Sequence, residues 1–295
     1  MKIECINGVD YKLPNSLSDF QLKLYVHLIN WKWKYITQAP GFYSNTPYDA
    51  ILPPSTFCSY PLIYPSILQD LLFHKKYFPF KLHQHFFHMA SSQAANVNLF
   101  MPILLHPLAN NVLQKLKSDF AKLAINDSDF YKGFRIEFWD GNSDTEKGLL
   151  GDHNPRSGTD SDIAIAYYNK ENELCLWLIE HKLTEDEFTK CGGFVSNGRD
   201  PKHDCSKNFS QIILDKTICY YQDILKFKYW DLTDQHQSFF PNHSNFNACP
   251  FQGGINQLWR NQLMGLALEQ AGKYKHVYFS VVKHPGNKAL DNSIN

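Results

Sequence analysis

The most regular pattern of apolar and polar positions in the chain lies between residues 159 and 182. Asp162-Ile163-Ala164-Ile165-Ala166-Tyr167-Tyr168 and Leu174-Cys175-Leu176-Trp177-Leu178-Ile179-Glu180 are apolar and rich in β-branched and aromatic residues, and polar Asn169-Lys170-Glu171-Asn172 lies between them. Such a pair of runs predicts a β-hairpin. A short loop centred on Glu171, with Asn172 in the left-handed conformation, closes it. Folding about that centre sets Asp162 opposite Glu180, and directly opposed residues share a face of the sheet. Lys182 falls on the same face because side chains alternate with period two.

Elsewhere the period is helical or broken. Leu22, Tyr25, Val26, Ile29 and Trp33 mark one face of a helix over residues 17 to 35. Pro40, Pro47, Pro53, Pro54, Pro61 and Pro65 predict an irregular wrap over 40 to 66. Helices are predicted over 66 to 77, 86 to 105 and 110 to 123. Phe134 to Trp139 alternates as a strand, followed by a turn-rich stretch to residue 159. Gly192, Gly193, Gly198 and Pro201 predict a loop over 183 to 210. Further helices are expected over 211 to 226 and 257 to 270, then a strand over 274 to 283 and a frayed tail. The domain reading is a mainly helical cap over 1 to 125, a core over 126 to 285 and a flexible tail over 286 to 295.

Two carboxylates and an ammonium at one end of an apolar hairpin have the outline of a metal-dependent hydrolytic site. Mg²⁺ prefers oxygen ligands and keeps several waters, so one or two carboxylates and a substrate phosphate suffice. A bound divalent ion acidifies its water and offsets charge on a phosphate. A lysine can orient the attacking water or steady the developing charge. His181 points the other way, which leaves its backbone carbonyl as a third ligand beside Asp162 and Glu180. Asp160, two residues upstream, is the rival first carboxylate. An ion-paired strand end is the alternative reading of the whole set.

The arrangement resembles the PD-(D/E)XK nuclease superfamily, in Asp162 at the start of one strand and Glu180-His181-Lys182 at the end of the next. A restriction-endonuclease-like subset is resembled further, in Ser91-Ser92-Gln93, Asn98-Leu99-Phe100, Glu137-Phe138-Trp139-Asp140, Leu183-Thr184-Glu185, Cys249-Pro250-Phe251 and Asn256-Gln257-Leu258-Trp259-Arg260-Asn261. One departure is that Ser161, not proline, precedes Asp162. The resemblance implies an α/β (α+β) fold: a restriction-endonuclease-like mixed β-sheet core flanked by helices, with a helical N-terminal part. It also implies Mg²⁺- or Mn²⁺-dependent cleavage of DNA, with Asp162, Glu180 and Lys182 catalytic. Gln257 and Arg260 on a late helix, and Gln93 upstream, would support the site or the DNA. Glu137 is a further acidic neighbour on the preceding strand, or a partner of Arg135.

Formal net charge is zero over 295 residues, which excludes a histone-like binder but not a local basic cleft. Most of the positive charge is lysine, Arg135, Arg156, Arg199 and Arg260 being the arginines. Lysine suits phosphate contacts better than bidentate base reading. Absence of a long apolar run or signal-like start predicts a cytoplasmic chain without a membrane partner. Seven scattered cysteines read as reduced thiols. Cys191, Cys205, Cys219 and Cys249 carry a second possibility, an Fe–S cluster or Zn²⁺, against buried free thiols; the spacing lacks CxxC pairs. His83, His85 and His88 read as a packed or surface patch, and Asp152-His153 and His203-Asp204 as loop residues. The leading function is thus a restriction or defence endonuclease acting on DNA, plausibly as a homodimer. An inactive nucleic-acid-binding or assembly component, or a helicase-linked exonuclease, is the alternative.

Overall fold

A computed structural model describes residues 1–141, 146–154, 158–195 and 203–294. Arg156, Gly198, Arg199 and Pro201, named above, lie outside them. The chain divides into two compact units. The first comprises Met1–Lys117, His181–Thr184 and Val281–Lys288, and the second Ser118–Glu180, Glu185–Ser280 and Ala289–Asn295.

The first unit opens with a hairpin that the sequence reading missed. Strands β1 (Lys2–Ile6) and β2 (Val9–Leu13) pair antiparallel around Asn7-Gly8, both with positive φ, 53° and 78°. Asn-Gly is the preferred pair for such a primed turn. Its signal was hidden because β1 buries no residue fully, so its period is weak. Helix α1 (Asp19–Tyr35) starts where Ser18 and Gln21 form a reciprocal capping box. Lys32, fully buried on α1, donates to the carbonyls of Ala39 at 2.7 Å and Asp49 at 2.9 Å. Burial, opposed by Asp49, pushes its pKa down to about 8. The proline-rich stretch is not wholly irregular. It contains a second hairpin, β3 (Gly41–Tyr43) with β4 (Thr46–Tyr48), turned by Ser44 and Asn45 at φ 46° and 63°.

Helix α2 (Leu68–Tyr77) follows a 3₁₀ turn, and α3 (Ser92–Leu104) begins where the Ser91 side chain accepts from Ala94 N–H. Residues 86 to 90, expected to be helical, form turns instead, with Phe86 buried. Helix α4 (Ala109–Leu116) stops well short of residue 123.

That early stop frees β5 (Phe120–Leu123) to join the sheet of the second unit. Among the described residues this sheet has five strands: β5, β6 (Phe134–Phe138), β7 (Ser161–Asn169), β8 (Leu174–Lys182) and β9 (His276–Lys283). The order is β5-β7-β8-β9, with β6 on β7. β5 takes the Tyr167–Asn169 end of β7 and β6 its Ser161–Ile165 end, both antiparallel. β7 and β8 are buried along nearly their whole length, which explains why they lack strict alternation. A mixed sheet flanked by helices, the expected architecture, is thus what the chain adopts.

Short helices α5 (Gly192–Val195), α6 (Phe209–Leu214), α7 (Tyr220–Asp223) and α8 (Tyr229–Gln235) precede the long α9 (Asn256–Gln270). The single helix expected over 211 to 226 is broken at Asp215. Its carboxylate accepts from both the Thr217 amide and hydroxyl, a local turn that competes with helix. An aromatic cluster fixes α9: Phe251 stacks on Trp259 at 4.1 Å between ring centres, with Trp230 and Tyr229 edge-on or tilted against them. Trp259 also donates to Thr233 at 3.0 Å. Leu290 is fully buried ahead of α10 (Asp291–Ile294).

Candidate active site

The β7–β8 register runs from Ile163 opposite Ile179 to Tyr168 opposite Leu174. The paired residues end at Ile163 and Ile179, and Asp162 and Glu180 are the next residues on the two strands. Asn172, with φ 60°, takes the left-handed position in the turn. Ser161, in the place of a proline, is fully buried, and its hydroxyl lies 3.1 Å from the carbonyls of both Ile163 and Ile179. One proton serves one acceptor at a time, but the Ile179 contact ties the strand ends together beside Glu180.

Glu180 is 1% exposed, so its carboxylate needs partners. They come from α9. Gln257 Nε2 donates to Oε1 at 2.6 Å, and Asn261 Nδ2 donates to Oε2 at 2.9 Å. Residues four apart share one helix face, so a single face of α9 fixes both carboxylate oxygens. The Asn261 Oδ1 is also buried and accepts no hydrogen bond among the described residues.

Arg260 points elsewhere. Its guanidinium donates to the Gly158 carbonyl at 3.2 Å and reaches Thr159 Oγ1 at 3.5 Å. It lines a pocket with Asp152, His153, Tyr221 and Tyr229. Asp152 Oδ2, buried there, accepts from Thr159 and Tyr229 hydroxyls. Burial opposes the Arg260 charge, but Tyr229 and Asp152 outweigh it and hold its pKa above the ordinary value. Helix α9 therefore serves both candidate strands: Gln257 and Asn261 hold Glu180, and Arg260 holds the segment leading into β7.

Asp160 is engaged otherwise. It meets His153 Nε2 at 2.7 Å, and that imidazole stacks on Trp139 at 3.7 Å. Asp152, His153 and His203, read from sequence as loop residues without partners, are all paired; His203 meets Asp223 at 3.2 Å. On β6, Arg135 faces Ala164, Ile136 faces Ile163 and Phe138 faces Ser161, with Glu137 between the last two. Glu137 has φ 50°, a sparsely populated conformation for a non-glycine residue and one that clusters at functional sites.

Lys182 ends β8 two residues beyond Glu180, and His181 lies between them; both are buried. Gln93 belongs to the first unit, where it is buried and its amide accepts from His83 N–H at 2.9 Å and donates to the Lys81 carbonyl at 3.1 Å. Among the described residues no group of three or more His, Cys, Asp and Glu side chains is arranged to hold a metal ion. A pair of carboxylates is the donor chemistry that suits Mg²⁺, whose shell is completed by water and phosphate. Among the described residues no helix is long and apolar enough to cross a membrane.

A family model described as restriction endonuclease associating with ARP matches residues 32–295. No curated protein and no solved structure matches the chain.

Proposed function

Because the chain belongs to the restriction endonuclease family associating with ARP, we propose that it is a divalent-metal-dependent nuclease hydrolysing DNA phosphodiester bonds. Asp162 and Glu180 are the metal-holding carboxylates, with the His181 carbonyl beside them, and Lys182 is the cation that positions water. Mg²⁺, when bound, supplies positive charge for the phosphate and acidifies water. Gln257 and Asn261 orient Glu180, the office that outer partners perform for a ligand carboxylate. Lys182 follows Glu180 by two residues, so strand alternation gives its ammonium the same face. There it can hold a water for in-line attack and offset the charge that develops on phosphate.

The observation that carries this reading is the hydrogen-bonded Glu180 carboxylate, on the strand next to that of Asp162 in a sheet of the expected type. Both oxygens are pinned by amide donors, and neither is neutralised by the Gln257 and Asn261 contacts. A buried carboxylate needs such hydrogen-bond donors, and a carboxylate held among them in a strand end is a functional-site candidate. The family description adds a partner to the proposal: the chain works in association with an ARP protein.

Supercoiled plasmid and linear duplex, incubated with the full chain in Mg²⁺, Mn²⁺ or chelator, test the reading. Metal-dependent nicking or linearisation of the plasmid is expected. DNA left intact by both ions, with and without the ARP partner, would contradict it.

A further inference from the structure

The second unit holds a cavity of about 270 Å³ whose lining combines aromatic rings with charged groups. That volume lies at the lower end of ligand pockets and suits one small ring-bearing molecule. Tyr221, Phe227 and Tyr229 supply the rings and pack on one another. Ring centres are 5.4 Å apart for Tyr221 and Phe227, 5.7 Å for Tyr221 and Tyr229, and 5.4 Å for Phe227 and Tyr229. Tyr229 is buried, while Tyr221 and Phe227 keep part of their surface open. Gly192 makes room for the Tyr221 hydroxyl, since a Cβ there would lie 2.7 Å from it.

The positive charge comes from Arg260 and Lys147. Arg260 spends Nη1 on the Gly158 carbonyl, 3.2 Å away, while its buried Nε has no hydrogen-bond partner among the described residues. Asp152 also lines the cavity, and its Oδ2 already accepts from the hydroxyls of Thr159 and Tyr229. His153 turns Nε2 to Asp160 at 2.7 Å. Lys147 is the exposed cation of the lining. With Asp152 balancing one cation and Asp160 answering His153, positive charge is left in excess. An incompletely hydrogen-bonded guanidinium away from water is costly, and an oxyanion is the partner it fits best.

Rings and cations together select the ligand. Aromatic faces stack on nucleobases without regard to sequence, and a guanidinium and an ammonium take phosphate. An aliphatic anion would leave the rings unused, and a bare base would leave Arg260 unanswered. We propose that the cavity binds a single nucleotide, with its phosphate at Arg260 and Lys147 and its base on Tyr221 and Phe227. The nucleotide is either free or turned out of a DNA strand, as it is for enzymes that act on an unstacked base. Only the second source rests on the nuclease reading. It would tie binding to the cut, because Arg260 lies on α9 between Gln257 and Asn261, which hold Glu180.

The test is equilibrium binding to the full chain in chelator, where cleavage plays no part. The probes are the four deoxynucleoside monophosphates, the matching nucleosides, orthophosphate, and duplex DNA with or without one unpaired nucleotide. Binding of a monophosphate identifies the free source, and tighter binding of the bulged duplex than of the paired one identifies the strand. In either case Lys147→Gln and Arg260→Gln should weaken binding about tenfold or more, and Tyr221→Leu about fivefold or more. Should Arg260→Gln fail to fold, the exposed Lys147 and Tyr221→Leu decide. Monophosphates left unbound together with no preference for the bulge would overturn the pocket, as would binding that these variants leave unchanged. Nucleosides or orthophosphate bound as tightly as monophosphates would overturn the joint reading of ring and phosphate. A chain that binds nucleotide here but leaves plasmid intact keeps the pocket and contradicts the nuclease reading instead.

Discussion

Gln257 donates to Glu180 at 2.6 Å across 77 residues of sequence, and with Asn261 it occupies one oxygen of each side of that buried carboxylate. Replacing Gln257 with Leu leaves a desolvated oxygen without its donor. Outer partners of a metal ligand typically govern affinity or rate by about 10- to 100-fold. Gln257→Leu and Asn261→Leu should each lower plasmid cleavage by about that factor and raise the Mg²⁺ concentration needed for half-maximal rate. A Mg²⁺ titration of initial nicking rates measures both, and variants with wild-type rates and metal dependence would show that the amides are bystanders.

Gly265 lies in the buried middle of α9, and a Cβ built there meets only Val277 Cγ1 at 3.6 Å and Leu178 Cδ1 at 3.9 Å, ordinary contacts. Glycine in a helix interior costs roughly 0.8–1 kcal/mol relative to alanine. Gly265→Ala should therefore stabilise the protein by about 0.5–1 kcal/mol in urea unfolding. A loss of stability would mean that the sheet packs against this helix more tightly than these distances allow.

His88 accepts the Ala90 amide at Nδ1, 3.0 Å away, and its pKa is lowered to about 4 by burial and, second, by His85. The unfolded chain takes up this proton near pH 6.5, and the folded chain not until about pH 4. Between those values the unfolded state binds more protons, so stability falls as the pH drops and levels off below about 4. Partial exposure of the ring reduces the effect to about 2 kcal/mol. His88→Asn keeps an acceptor for Ala90 and removes the titration, so its stability should decline less over this window in denaturant melts at successive pH values. Parallel profiles would remove His88 from the acid limb.

The hairpin was legible in the sequence because hairpins are local: the centre at Glu171 fixes its register, from Ile163 opposite Ile179 to Tyr168 opposite Leu174. Gln257, which meets Glu180, was legible through family resemblance. Asn261 lies four residues from Gln257, and that i,i+4 spacing is the sequence signal that both amides share one helix face. Glu137 was left undecided because its place on the sheet depends on the register of β6 against β7, a non-local pairing. Arg260 was grouped with Gln257 on spacing three, yet it turns to Gly158 and Thr159, since a side chain's target depends on what packs beside the helix. The strand at Phe120–Leu123 was read as the end of a helix because four residues carry too little period to distinguish. Asn7-Gly8 carries a strong turn signal, but β1 beside it buries no residue fully and its period is weak.

The central claim is that Glu180 holds the catalytic metal and Lys182 serves the water. The most direct measurement is Mg²⁺-dependent plasmid cleavage by Glu180→Gln, a near-isosteric change that removes the charge, alongside Lys182→Met, with circular dichroism to establish folding. Cleavage should fall by about 10³-fold or more in both folded variants. Folded Glu180→Gln protein that cleaves within about tenfold of wild type would contradict the assignment.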